Sequence, residues 1–165
     1  MAISSGKRLT SFIGKGKDDI YSDLPSKLGD AKMGNDLLSA CKNSDFETAK
    51  KILSSGISAN VSDENGVTSL MRAALNGDQK IIDLLLEYKA DPNAKSDTGW
   101  TALMEASKKG HEEVVKKLIN SGADAALNNN SGQSALTIAF YNRHNSIVRL
   151  IENYNKGKKS TGPKI

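Results

Sequence analysis

A repeat of about 33 residues runs through the middle of this chain and constrains its fold more than any other feature of the sequence. Four kinds of position recur at this spacing: Gly66, Gly99 and Gly132; Thr68, Thr101 and Ser134; Leu70, Leu103 and Leu136; Ala73, Ala106 and Ala139. Leu37 and Ala40 extend the leucine and alanine series backward by one unit. Four units are therefore predicted, and the first and last follow the pattern least closely.

Each unit contains two helical patterns separated by a turn residue. In the third unit, Leu103, Ala106 and Ser107 have the i, i+3, i+4 spacing of a short helix. A second apolar stripe follows at Val114, Val115, Leu118 and Ile119. Gly110 and Gly122 come after these helices and supply left-handed residues without a steric penalty. We predict a helix pair in every unit, with an apolar stripe that is buried only when neighbouring units stack.

The segments between helix pairs are polar, and each contains a glycine. They have the sequences SDENGV, KSDTGW and NNNSGQ, which are typical of turns. The predicted fold class is therefore all-α, a solenoid of stacked helix-turn-helix units joined by β-turn loops.

These motifs resemble the ankyrin repeat family, whose unit of about 33 residues is a β-turn followed by two antiparallel helices. The similarity is strongest in VTSLMRAALNGDQKIIDLLLEYKADPNAKSDTG and WTALMEASKKGHEEVVKKLINSGADAALNNNSG. Both segments follow the G-x-T-x-L-x-x-A start of the family, its Gly-His or Gly-Asp junction and its Gly-Ala-Asp type of ending. The resemblance implies the following organisation: a polar, basic extension over residues 1–32, repeat units over about 33–62, 63–95, 96–128 and 129–154, and a basic tail over 155–165.

The end units depart from the family at the helix junction. Ser44 in the first unit and Arg143 in the fourth occupy the position where the family has glycine. A left-handed residue other than glycine costs about 1–2 kcal/mol, so we predict ends that are less stable than the middle. Glu152 replaces an apolar residue of the other units, as expected for an end that faces water.

The net charge of +4 is located in the two ends of the chain. Residues 1–17 contain four basic residues and no acid, and residues 155–165 do the same, so residues 18–154 carry a net charge of −4. Because a nucleic-acid groove needs basic residues clustered on a folded face, no nucleic-acid partner is expected. The basic tails suit an acidic partner, and the sequence leaves the oligomeric state open.

The localisation that fits the composition best is cytoplasmic. The chain has one cysteine, Cys41, which aligns with Ala74 and Ser107 and is therefore expected to be a small buried residue. No stretch approaches the roughly 20 apolar residues that span a bilayer, so membrane insertion is not expected. Mitochondrial import is the alternative, because the segment 1–17 is basic, contains serine and lacks acids.

Nothing in the sequence predicts catalysis. His111 and His144 are one repeat period apart, so duplication of a turn-stabilising histidine explains them without a metal. His111-Glu112-Glu113-Val114-Val115 lacks the second histidine of a zinc motif. We expect no catalytic, cofactor or metal site, and the chain is predicted not to be an enzyme.

The resemblance implies a surface for protein binding. In ankyrin proteins, partners usually dock on the turn tips and on the exposed side of the first helices, which form the concave face. Transferred position by position, this predicts the following contact residues: Glu64, Asn65, Val67, Leu75, Asn76, Asp97, Thr98, Trp100, Lys108, Lys109, Asn130, Ser131, Gln133, Tyr141 and Asn142.

Trp100 is the strongest candidate on that surface because tryptophan and tyrosine are enriched at interface hot spots. It is the only tryptophan of the chain, and its equivalents are Val67 and Gln133. The alternative interpretation is that Trp100 packs along its own turn. Leu75 and Tyr141 are expected on the same face, on either side of Lys108.

Two functional hypotheses follow from these features. The first is a non-catalytic adaptor that binds a protein partner through the concave face and turn tips. The alternative is a structural accessory subunit of a larger assembly, held by its basic tails.

Overall fold

A computed structural model describes the backbone of residues 17–160 and the side chains of residues 29–157. Within this part of the chain, eight α-helices follow one another: α1 Lys17–Lys42, α2 Phe46–Ser54, α3 Ser69–Asn76, α4 Gln79–Glu87, α5 Ala102–Lys109, α6 Glu112–Asn120, α7 Ala135–Tyr141 and α8 Asn145–Ser160. The only β pairing among the described residues consists of two isolated bridges, Ser62 with Thr68 and Asn128 with Ser134. The predicted all-α repeat architecture is confirmed.

The first helix of each of the last three units begins at a hydroxyl residue. The side-chain oxygens of Thr68, Thr101 and Ser134 accept hydrogen bonds from the backbone N–H three residues further on. This bond satisfies one of the N–H groups that a helix N-terminus leaves without an intrahelical partner. The recurring Thr or Ser of the sequence is therefore a helix cap.

Left-handed residues end the first helices, as predicted. Gly77 and Gly110 have φ values of 76° and 82°, and Ser44 and Arg143 at the equivalent position have 58° and 62°. The left-handed conformation of Ser44 and Arg143 is confirmed, and the lower stability of the ends stays a prediction. The end units therefore contain the backbone strain that the glycines of the middle units avoid.

Lys89 is a third non-glycine residue in the left-handed region, and we did not predict it. Its φ is 64°, and it is equivalent to Gly56 and Gly122, whose φ values are 95° and 93°. The second unit thus carries the same kind of strain at the end of its second helix.

The core lies between stacked helix pairs. Helix α3 packs on α1 and α5, α5 packs on α7, and the second helices pack on one another in the same order. Ala73, Ala74, Ala106 and Ser107 are fully buried between first helices. Their small side chains allow neighbouring first helices to approach closely. The turn tips and the outer side of the first helices lie outside this contact and are exposed.

The terminal helices extend beyond the repeat pattern. The predicted starts of unit 1 at residue 33 and of the tail at residue 155 both fall inside helices, because α1 begins at Lys17 and α8 ends at Ser160. The unit boundaries remain predictions. Residues 1–16 and 161–165, which hold much of the predicted basic extension and tail, lie outside the described residues. Among the helices of residues 17–160, none combines the length and apolar content needed to cross a membrane.

Candidate functional site

Each turn tip is held by a side-chain oxygen three residues before the repeat glycine. This oxygen accepts a hydrogen bond from the backbone N–H of the residue after the glycine: Val67 N to Asp63 Oδ1 at 2.9 Å, Trp100 N to Ser96 Oγ at 3.1 Å, and Gln133 N to Asn129 Oδ1 at 2.9 Å. Side chains at the Trp100 position therefore start from the same anchored backbone in all three tips.

Asp63 also ties its tip to the first helix of the unit. Its carboxylate forms an ion pair with the guanidinium of Arg72 on α3. Burial tends to raise the pKa of Asp63, but the N–H donors of Val67 and Asn65 and the charge of Arg72 lower it below the usual range. The tip of the second unit is therefore fastened by a carboxylate that stays ionised.

The tips are joined to one another through their backbones. The N–H of Asp97 donates to the carbonyl of Asn65, and the N–H of Asn130 donates to the carbonyl of Thr98, both at 3.0 Å. This contact favours glycine, because the φ of Gly99 is 78° and a Cβ on it would lie 2.9 Å from the backbone N atom of Asn130. The result is a continuous row of tips in which Glu64, Asp97 and Ser131 are exposed.

Trp100 connects the tip of the third unit to helix α5. The Lys108 Nζ atom lies 5.0 Å from the centroid of the Trp100 ring, within the range of a cation–π interaction. The ring is half-buried and packs against the core, whereas Lys108 is exposed. Part of the indole ring therefore packs along its own turn, as the alternative interpretation predicted, and the rest of the ring is accessible. Partner binding by Trp100 remains a prediction.

Leu75 and Tyr141 occupy the positions equivalent to Lys108 on the neighbouring first helices. Leu75 is 37% exposed and Tyr141 is 73% exposed. We use the name first-helix face for the exposed side of α3, α5 and α7 together with the turn tips. These positions are the ones that the resemblance implied for the concave face, and Leu75 and Tyr141 flank the central lysine on the neighbouring helices.

Three of the predicted contact residues are asparagines whose side-chain amides donate hydrogen bonds within the fold, and the side-chain oxygen of Gln133 accepts one from Asn129 Nδ2 at 3.2 Å. Asn76 Nδ2 donates to the carbonyl of Lys42 at 2.7 Å, Asn142 Nδ2 donates to that of Ile138 at 2.8 Å, and Asn130 Nδ2 donates to that of Asp97 at 2.8 Å. Sequence alignment placed these residues on the face but did not reveal their internal hydrogen bonds. Contact of the three asparagines with a partner remains a prediction.

His111 and His144 stabilise the junctions between units. The Nε2 atom of His111 lies 3.1 Å from the carbonyl oxygen of Leu75, and that of His144 lies 3.0 Å from that of Lys108. Each imidazole thus contacts the end of the preceding first helix. The predicted placement of the histidines at the turns is confirmed and the contact is made between units, whereas their effect on stability stays a prediction.

The second unit uses a different side chain for the same purpose. Asp78 is the residue equivalent to His111 and caps its own helix α4 through hydrogen bonds from Lys80 N and Ile81 N. Asn76 instead contacts the preceding helix at Lys42, the position equivalent to Leu75.

Phe140 is a surface residue that the sequence analysis missed. It is 64% exposed and contacts Tyr141 edge to face, with ring centroids 5.9 Å apart. Its equivalents Cys41, Ala74 and Ser107 are small and fully buried. The sequence did contain a signal for this residue, because phenylalanine stands at a repeat position where the other units have small residues.

Two groups whose pKa is raised by burial do not form a reactive site. Burial raises the pKa of the Cys41 thiol to about 11, which keeps it protonated at neutral pH. Burial also raises the pKa of Glu105, although Lys108 and Lys109 oppose the shift. Over the part of the chain that the structure describes, no three His, Cys, Asp or Glu residues are grouped as a metal site would require.

Comparison with known families agrees with this architecture. A family model described as ankyrin repeats, in three copies, matches residues 27–96 and residues 89–161. Comparison with curated proteins gave no significant match. The matched segments include every turn tip and helix junction described above and cover most of the sequence. The chain therefore belongs to the ankyrin-repeat family.

Proposed function

We propose that this chain is a non-catalytic interaction module that binds a protein partner through its first-helix face and turn tips. Ankyrin repeats generally mediate protein–protein interaction, and the family is typically non-catalytic. The observation that carries the proposal is the accessible pair of Trp100 and Lys108 at the centre of this face. The Nζ atom of Lys108 lies 5.0 Å from the centroid of the Trp100 ring.

The composition of the face supports a protein partner. Trp100, Leu75 and Tyr141 offer apolar area, and aromatic anchors of this kind dominate the binding energy of protein interfaces. The ammonium of Lys108 lies over the indole ring, where the cation–π interaction leaves its positive charge in place beside an apolar centre.

The tips are arranged so that binding needs little ordering. Backbone bonds from Asp97 and Asn130 to the preceding tips connect the three tips before any partner arrives. Preorganisation of this kind improves affinity by reducing the entropy lost on association. The exposed Glu64 and Asp97 add acidic groups on the tip side of the face, opposite the lysines of α5.

The test begins by identifying a partner that co-purifies with the full chain from native cells. Binding of that partner is then measured for Trp100→Ala by titration calorimetry. We expect the affinity to fall by more than about 1 kcal/mol, roughly fivefold in Kd. Tyr88→Ala, which truncates an exposed aromatic residue after α4 and outside the first-helix face, is the matched control and should bind like the wild type.

Thermal melting of both variants is needed because the Trp100 ring also packs against the core. A folded Trp100→Ala protein that binds the partner as tightly as the wild type would count against the proposal.

A further inference from the structure

The C-terminal end of the first-helix face combines two exposed aromatic rings with three cations. We call this surface the aromatic-cationic patch and define it by Lys108, Lys109, Phe140, Tyr141 and Arg143, all of them exposed. The patch contains no acidic residue.

Packing within the stack does not account for Phe140. The equivalent residues Cys41, Ala74 and Ser107 are fully buried because the next first helix packs against them. No further unit covers α7 within residues 17–160, and the phenyl ring is left 64% exposed. Thr137, at a position that is apolar and buried in the middle units, is polar and exposed here, as expected on a helix that no described unit covers. Phe140 departs from that rule.

The backbone brings the cations next to the rings. His144 Nε2 lies 3.0 Å from the carbonyl of Lys108, which holds the end of α5 beside the turn that carries Arg143. Arg143 follows Tyr141 closely in the chain, so the rings and cations share one edge of the face.

The charge of the patch is not neutralised by ion pairs. The salt bridges of the described side chains involve Arg72, Lys116 and Lys117, and none involves Lys108, Lys109 or Arg143. The carboxylates of Glu112 and Glu113, at the start of α6, both contact Lys116, at 2.9 Å and 2.7 Å, and neither forms a salt bridge with a cation of the patch.

Glu105, one turn before the two lysines, is half-buried and interacts electrostatically with both, but it forms no salt bridge with either among the described side chains. Stacking of Lys108 on Trp100 leaves its positive charge in place.

We infer that the aromatic-cationic patch binds an acidic protein segment that also carries a large apolar side chain. The inference rests on the proposed function and names the class of partner. Three cations without a salt bridge attract a carboxylate-rich segment, and the Phe140–Tyr141 pair provides the apolar area that charge alone lacks. The basic residues of 155–165 continue the same charge along the sequence.

The experiment uses the full chain and a phage-displayed library of random dodecapeptides. We expect the selected peptides to carry a net negative charge and at least one aromatic or large aliphatic residue. Selection of peptides without a negative bias would overturn the inference.

Two variants of the patch test the selected peptides individually. Phe140→Ser/Tyr141→Ser should weaken their binding at least tenfold, since both rings are removed. Lys109→Gln/Arg143→Gln leaves the Trp100–Lys108 contact intact and should weaken binding about fivefold at low salt, with the difference disappearing near about 0.5 M salt. Unchanged binding by both variants would overturn the inference.

Matched controls come from the opposite side of the stack. Tyr88→Ser removes a tyrosine that is 38% exposed, and Lys80→Gln removes an exposed lysine, both from the α4 region. Both controls should bind the peptides like the wild type. If the double aromatic variant does not fold by circular dichroism, Tyr141→Ser alone, at a residue 73% exposed, replaces it with an expected loss of about threefold.

Other ligand classes are outcomes of the same experiment. The chain is also tested for sedimentation with vesicles of equal parts phosphatidylcholine and phosphatidylserine, and for binding of a short oligothymidine. Binding to either ligand would overturn the inference if the patch variants abolished that binding and the selected peptides did not compete with it. Peptide binding that requires Trp100 but neither Phe140 nor Tyr141 would also overturn the inference. The proposed function would remain supported in that case.

Discussion

The middle units and the end units of this protein close the same helix junction in different ways. In the middle, Gly77 and Gly110 adopt the left-handed conformation freely, and the rings of His111 and His144 lie directly over them. At the ends, Ser44 and Arg143 adopt the same conformation, and no histidine of the described chain covers them. The junction of the first unit is instead contacted by Asn76, whose Nδ2 donates to the carbonyl of Lys42. The middle and the ends therefore differ in the left-handed residue and in the imidazole contact.

The comparison teaches where stability should be concentrated. Each left-handed residue other than glycine costs about 1–2 kcal/mol, and each hydrogen bond between units contributes about 0.5–1.5 kcal/mol. Lys89 shows that the second unit also carries strain, at the end of its second helix. Even so, the junctions of α3 and α5 combine glycine with an imidazole contact, and those of α1 and α7 have neither.

The largest effect is expected from cavities at equivalent core positions. Leu85 on α4 and Ile151 on α8 are both fully buried. Leu85→Ala should lower the free energy of unfolding by about 2–5 kcal/mol, measured by urea denaturation. Ile151→Ala should cost less, because the end unit can unfold before the rest. Equal losses at the two positions would contradict the comparison.

Exchange of the junction residues tests the comparison directly. Gly110→Ala should lower the free energy of unfolding by more than about 1–2 kcal/mol, because φ is 82° and the new Cβ would lie 2.7 Å from His144 Cε1. Arg143→Gly should raise it by about 1 kcal/mol, since relief of strain is partly offset by the entropy of glycine. Thermal denaturation of both variants shows whether each change stabilises or destabilises the protein. An Arg143→Gly protein that is less stable than the wild type would contradict the comparison.

Thiol labelling measures the local opening of an end unit against the middle. Because burial raises the pKa of Cys41 to about 11, the native thiol is protonated at pH 8 and reacts mainly after opening. The matched protein carries Ser107→Cys in a Cys41→Ser background, which moves the thiol to the equivalent buried position of the third unit. We expect Cys41 to react with Ellman's reagent about tenfold faster, and slower reaction of Cys41 would reverse the predicted order of stability.

The smallest effect is expected from the histidines. His111→Ala and His144→Ala each remove one contact to the preceding unit and should lower the free energy of unfolding by about 0.5–1.5 kcal/mol. Hydrogen exchange of the amides on both sides of each junction locates the loss. A change confined to the histidine's own helix would show that the imidazole does not couple neighbouring units.

The fold was predictable because the repeat spacing is visible in the sequence itself. The same alignment predicted the backbone of Ser44 and Arg143, and it held the signal for Lys89, which stands between Gly56 and Gly122 in register. These features depend on local conformation, which repeats with the sequence.

The site was less predictable because its details depend on neighbouring units. The bonds from Asn76 to Lys42 and from Asn130 to Asp97 cross between units, so residue type alone did not reveal them. The exposure of Phe140 depends on whether another helix covers it, which the series Cys41, Ala74 and Ser107 could not show.

The backbone links between turn tips have a consequence for how binding specificity can change. Since the bonds from Asp97 to Asn65 and from Asn130 to Thr98 use main-chain atoms, they persist when the exposed side chains at Glu64, Asp97 and Ser131 are replaced. Recognition chemistry at these positions can therefore diversify while the scaffold keeps its geometry. The tips form a natural set of positions for randomisation in which almost every variant should still fold.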